Sequence, residues 1–152
     1  MPLKLLVAAF PEGGIIPKLH TGDGADVSPA LEWTGAPAET RSFALVADDP
    51  DAPVGTWTHW MIWDLPASTR HLAQGCKPEN SAVEGANDFG RRGYGGPMPP
   101  KGHGPHRYFF KLFALDIASL GLPPDSRRAA VDHALQGHVL AAAQYMGRSE
   151  RR

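Results

Sequence analysis

The sequence predicts a mainly β fold: a Greek-key β-sandwich with one or two short helices near the C-terminal end. Three observations lead there. Glycine (17) and proline (15) make up about a fifth of the 152 residues with no repeat period, which marks many turns rather than long helices. Two runs, Thr56–Leu65 and Tyr108–Ala114, carry large apolar side chains on both faces, as strands buried between two layers do. A good helical pattern occurs once, late in the chain, in "LPPDSRRAAVDHALQGH".

Leu3–Phe10 reads as an edge strand, and "EGGIIPKLHTGDG" as a turn, a short strand and another turn. Val27–Trp33 is extended because Ser28 precedes Pro29, whose ring excludes the helical region at the residue before it. Ser42–Asp48 has the length of a buried strand, and Pro50 and Pro53, which cannot donate to a ladder, close it. In Thr56–Leu65 strict alternation puts Trp57, His59, Met61 and Trp63 on one face and Thr58, Trp60, Ile62 and Asp64 on the other. Pro66 ends that strand, and residues 67–95 form a long irregular excursion. Tyr108–Ala114 is the second central strand. Asp125 or Ser126 caps the helix and Gly137 interrupts it. In "HVLAAAQYMG" the alanines favour helix over strand.

Composition bounds the function. The length fits one domain over residues 1–152. A net charge of −1 removes the main argument for nucleic-acid binding, which needs a basic face. No apolar run approaches the ~20 residues of a membrane span. "MPLKLLVAAF" is followed by Pro11-Glu12-Gly13-Gly14, so it reads as a first strand rather than a signal peptide, and the expected location is cytoplasmic. The one cysteine, Cys76, excludes an intrachain disulfide and fits a reducing compartment. It sits in a turn-like stretch with no base beside it.

Two stretches place rigid turns beside strands that carry polar groups on apolar faces. The first is Asp48-Asp49-Pro50-Asp51-Ala52-Pro53 with Thr58-His59-Trp60; the second is Gly95-Gly96-Pro97-Met98-Pro99-Pro100 with His106-Arg107-Tyr108. His106 and Tyr108 share a face. If the two strands are neighbours, His59, His106 and Tyr108 enter one cavity, with a carboxylate of Asp49 or Asp51 holding an imidazole. Such a cavity presents imidazole N–H groups, a phenol and the backbone N–H of Gly95 or Gly96 to an anion. A three-histidine metal site from His59, His103 and His106 is the weaker reading. His133 and His138 read as surface residues, and His20 and His71 have no evident partner. No Gly-x-Ser-x-Gly elbow or other nucleophile constellation is present, so a non-catalytic role is expected, with no cofactor and no metal.

Four stretches together resemble the phosphatidylethanolamine-binding protein family, also called Raf kinase inhibitor-like, in its compact bacterial and archaeal branch (the YbhB/YbcL type). They are "GADVSPALEWTGAP", "SFALVADDPDAPVGTWTHWMIWDLPA", "NDFGRRGYGGPMPPKGHGPHRYFFKLFALD" and "GHVLA". The resemblance implies a sandwich with a preformed pocket for phosphate-like and carboxylate-like groups. Its ligand-binding residues here are Asp49, His59, Gly96, Pro97, His106 and Tyr108, supported by Asp51, Pro53, Trp60 and Arg107. Asp51 and Arg107 are expected to pair behind the pocket. A cis X-Pro bond is implied near Asp51-Ala52-Pro53, and a strand over part of 139–146, against the alanine preference. The implied role is a small-anion binding module with a regulatory task; the alternative is an inhibitor of a serine protease or kinase acting through surface loops, and a His-assisted phosphate-ester hydrolase ranks below both. A homodimer through the stretch around 85–100 is a further expectation. "QYMGRSERR" departs from relatives that carry an aromatic soon after the final glycine, and the C-terminal helix of animal members has no counterpart, so their lipid and kinase specificity does not transfer.

Overall fold

In a computed structural model, which describes residues 2–152, eight strands among the described residues fall into two antiparallel sheets. The smaller sheet consists of β1 (Lys4–Val7), β2 (Leu31–Thr34) and β5 (His71–Leu72), in that order. The larger is built from β3 (Ser42–Asp49), β4 (Trp57–Pro66), β6 (Val83–Glu84), β7 (His106–Leu115) and β8 (Val139–Ser149). Its order is β6–β4–β3–β7–β8. β3, β4 and β6 are successive neighbours, and β7 returns after a long connection to lie on the free side of β3. That order, β7–β3–β4–β6, is a Greek key.

Alternation on the central strands separates two cores. Phe43, Leu45 and Ala47 of β3 and Tyr108, Phe110 and Leu112 of β7 face the smaller sheet, where Leu5, Val7, Leu31 and Trp33 meet them. Ala44, Val46, Met61 and Trp63 face the opposite way. They are covered by Val131 and Leu135 of α1 (Arg128–Leu135). The sandwich therefore carries a third, helical layer over its larger sheet. Burying each of these aromatic and aliphatic side chains contributes roughly 1.5–3 kcal/mol before chain entropy is charged.

Several local expectations are corrected. The first strand stops at Val7 rather than Phe10, and the second begins at Leu31 rather than Val27. The segment between them supplies a 3-10 turn at Lys18–His20 and one parallel bridge from Ile15 to Arg148 instead of a strand. The alanine-rich segment is β8, paired along β7 from Val139 against Leu115 to Ser149 against His106. A few tenths of a kcal/mol of alanine helix preference per residue lose to that ladder. Gly137, at φ 79°, stops the helix before it. Neither expected cap operates. Ser126 Oγ donates to Pro123 O, and the Asp125 carboxylate takes the fork of Arg92 at 2.7 and 2.8 Å. No peptide bond among the described residues is cis, so Pro53 is trans. The turn closes through Gly55, whose N–H reaches Ala52 O at 3.0 Å with φ at 108°.

Candidate functional site

β3 ends where β4 and β7 begin, so one edge of the larger sheet collects Asp49, His59, His106 and Tyr108. β4 and β7 are not neighbours: β3 lies between them and brings Asp49 into the middle. A cavity of about 200 Å³ opens there, with Asp49, Trp57, His59, His106 and Tyr108 at its polar positions and Pro53, Val54, Phe89, Met98 and Pro99 around them.

His59 reaches the cavity through a bulge. Ala47 pairs with Trp60 and Asp48 with Thr58, leaving His59 as an extra residue on β4. A bulge turns two successive side chains to one side. His59 therefore joins Trp60 on the inner face, and its ring centroid lies 5.2 Å from that of Tyr108. Strict alternation assigned it to the face of Met61 and Trp63, which instead pack under α1.

A chain of hydrogen bonds fixes the buried polar groups. Asp51 N–H donates to Asp49 Oδ1 at 2.7 Å, and His106 Nδ1–H donates to Asp49 Oδ2 at 2.7 Å. His106 Nε2 meets His103 Nδ1 at 2.6 Å, so the two rings share one proton between those nitrogens. His59 Nδ1–H donates to Gly95 O at 2.6 Å. Its other nitrogen, Nε2, is then the lone-pair side of a neutral ring. Burial holds the His59 pKa below its ordinary 6.5 despite the Gly95 carbonyl and the charge of Asp49. Two donors have no partner: Tyr108 Oη and Trp57 Nε1 are both buried and unpaired. Burial, then the Asp49 charge, pushes the Tyr108 phenol far up, so it stays protonated. No Lys or Arg lines the cavity.

The other residues read from the sequence lie around this centre. Pro53 lines the cavity. Asp51 and Arg107 form a forked pair at 2.9 and 2.8 Å at the half-exposed rim, and the Arg107 guanidinium lowers the Asp51 carboxyl to about 2. Trp60 lies wholly inside the core, its Nε1–H on Glu84 Oε2 at 2.9 Å. Gly96 and Pro97 stand behind the cavity. Gly96 N–H is taken by Asp26 Oδ1 at 2.7 Å, Pro97 O accepts Gly22 N–H at 3.0 Å, and Gly95 N–H goes to His59 O at 2.9 Å. The glycine N–H groups expected to face a ligand are thus spent within the fold. The three-histidine set is not assembled either, because His103 pairs with His106 while His59 turns to Gly95. Trp57, Phe89 and Met98 were not singled out in the sequence. Trp57 stands two residues from His59 on one strand, a signal that was available; Phe89 sits in the excursion, where no period points to it.

The family model described as phosphatidylethanolamine-binding protein matches residues 7–150. A UPF0098 protein of Aquifex aeolicus is 50% identical over 148 residues, covering 95% of this chain and 86% of that protein. The crystal structure of Escherichia coli YbcL, described as a new member of the mammalian PEBP family, superposes with a TM-score of 0.94 at 34% identity, covering all of both chains. A carboxypeptidase Y inhibitor, solved with its cognate proteinase, shares the fold at a TM-score of 0.61 and 19% identity, covering 99% of this chain and 85% of that one.

Proposed function

The chain belongs to the phosphatidylethanolamine-binding protein family, and from that premise we propose that it is a non-catalytic module binding a phosphate-like or carboxylate-like head group in the cavity between Asp49, His59, His106 and Tyr108. The carrying observation is the buried Tyr108 hydroxyl, without a hydrogen-bond partner in the wall of a cavity that also holds Asp49, His59 and His106 and is otherwise lined by aromatic, proline and apolar side chains. A buried donor without an acceptor costs about 1–3 kcal/mol, and a ligand oxygen recovers it. The aromatic and proline wall suits an apolar body attached to the head group. No Ser, Thr or Cys lines the cavity, and the Asp49–His106–His103 chain is closed on itself, which favours binding over turnover.

The test is calorimetric titration with inorganic phosphate and with a phosphomonoester carrying a short alkyl chain. Saturable binding, tighter for the alkyl ester and weakened by Tyr108→Phe, supports the reading. Turnover of the ester that depends on His106 contradicts it. A regulatory role through a protein partner is the second reading. Its observation is the exposed apolar rim, with Val54 at 80% and Met98 at 40% exposure, onto which a protease, a kinase or a second copy of the chain would dock. The likeness to the carboxypeptidase Y inhibitor carries the fold alone.

A further inference from the structure

We infer that His103 is an acid-tightened clasp: its ring, bonded to His106, pins the Lys101–Gly104 segment beside the cavity mouth, and the bond strengthens when the pair takes one proton from solvent. No ligand takes part in it.

Little else holds this segment. Lys101, Gly102 and His103 are exposed. Gly102 and Gly104, at φ 75° and 87°, flank His103, and a Cβ on either would meet nothing within 4 Å. The backbone is tied by Gly102 N–H, which donates to Arg151 O at 2.8 Å, and by the turn in which His103 N–H donates to Pro100 O at 3.1 Å. Among the described residues, the one side-chain hydrogen bond of the segment joins His103 Nδ1 to His106 Nε2 at 2.6 Å, with the ring centroids 4.8 Å apart. Pro99 and Pro100, which line the cavity, lead directly into it. Freeing the His103 ring therefore frees the lip of the cavity.

The bond has a defined proton count. Asp49 Oδ2 holds the His106 proton on Nδ1, so His106 Nε2 accepts and His103 Nδ1 donates. His103 Nε2 is then a bare nitrogen on an exposed residue. A proton arriving there turns a neutral hydrogen bond into a charged one. If the Nδ1 proton then passes to His106 Nε2, the imidazolium stands against Asp49, His103 is neutral again, and the hydrogen bond persists. Either way the pair gains one positive charge and keeps its bond. A charge-assisted hydrogen bond is roughly twice as strong as a neutral one. Asp49, buried in a cavity that no Lys or Arg lines, supplies the counter-charge.

The other ionisable groups facing the pair keep their state through mild acid. Asp51, in the turn after β3, is lowered to about 2 by Arg107 and stays a carboxylate paired with it. From β7, Tyr108 stacks on His106 with centroids 6.5 Å apart, and its phenol, raised by burial, stays neutral. From β4, His59 stands across Tyr108, and burial disfavours its charged form. Arg151, beyond β8, is committed to Pro99 O and Asp23, and Lys101 points its charge to solvent from an exposed position. The His103–His106 pair is left to take up the proton.

The experiment is amide hydrogen exchange with imidazole nitrogen NMR on the whole chain, without ligand, from about pH 8 to about pH 5.5. It compares wild type with His103→Gln, whose amide keeps a donor for His106 Nε2 but takes no proton. At about pH 8 both rings should carry their proton on Nδ1 and have a bare Nε2. Protection of the Gly102 and His103 amides, corrected for the intrinsic exchange rate, should rise about five- to tenfold toward acid in wild type. The Gly102 amide should show no such rise in the variant. A flat or falling wild-type profile, the same rise in His103→Gln, or a His106 proton found on Nε2 at about pH 8 overturns the clasp. Each of these results is read without an anion, so the clasp and the anion-binding reading stand or fall separately.

Discussion

The Tyr108 hydroxyl is buried in the cavity wall near the Asp49 carboxylate and has no hydrogen-bond partner. Tyr108→Phe should weaken phosphate binding about tenfold, near 1.4 kcal/mol, while leaving the urea midpoint unchanged or slightly raised. Loss of stability with no loss of affinity would make the phenol a packing group only. His59 behaves differently because its folded pKa is lowered. The unfolded chain then binds a proton first as pH falls. Its stabilising contribution is full above the ordinary 6.5 and is lost as pH drops below that value. Urea midpoints at about pH 7.5 and about pH 5.5 should fall toward acid, and fall less in His59→Asn, whose amide keeps a donor for Gly95 O; equal falls in both proteins would refute this assignment. Asp49, His59, His106 and Tyr108 were legible because two short motifs carry them. The tautomer of His59 was not, since it depends on a carbonyl 36 residues away.

Elements decide which of two neighbouring residues faces the cavity. Asp48 and Asp49 are both buried, but alternation on β3 sends Asp49 into the cavity and Asp48 to the outer face. There Lys111 and Arg128 each meet Asp48 Oδ2 at 3.0 Å. Asp48→Ala should cost about 2–3 kcal/mol, discounted because both cations are partly exposed, and should leave phosphate affinity alone. Denaturant melts paired with titration check both halves. The loop from Gly95 to Pro100 is held just as tightly. A Cβ on Gly96 would stand 2.2 Å from His20 O and 2.6 Å from Asp26 Oδ1. Gly96→Ala should therefore destabilise by about 2 kcal/mol or more and loosen the cavity rim, even though Gly96 is not among the residues lining the cavity; wild-type stability in that variant would show the loop to be free to move. At this scale the sequence is least explicit. Alternation put His106 and Tyr108 on one face of β7, as found, but the bulge at His59 on β4 leaves no mark in residue type, because it arises from the register against β3. In β8 alanine propensity pointed to helix, and the long pairing with β7 overrode it.

Across the whole molecule, the cavity sits where three adjacent strand ends meet, inside a sheet packed on both faces. It is therefore formed before any ligand arrives. A ligand at about a hundredfold its Kd should stabilise the fold by about 2.7 kcal/mol, seen as a rise in Tm with phosphate. The Greek-key sandwich could be read from turn density and two-faced aromatic strands. The helical layer over the outer face could not, because Val131 and Leu135 become a cover only once the large sheet exists. The net charge of −1 removed the main argument for nucleic acid but carried no sign of this cavity, because no Lys or Arg lines it. The seven histidines supply the most direct measurement of the central claim. In an NMR titration with inorganic phosphate, the ring resonances of His59, His103 and His106 should shift saturably together, while those of His20, His71, His133 and His138 stay still. Unmoved cavity rings, or shifts led by His71 or His133, would contradict an anion site in this cavity.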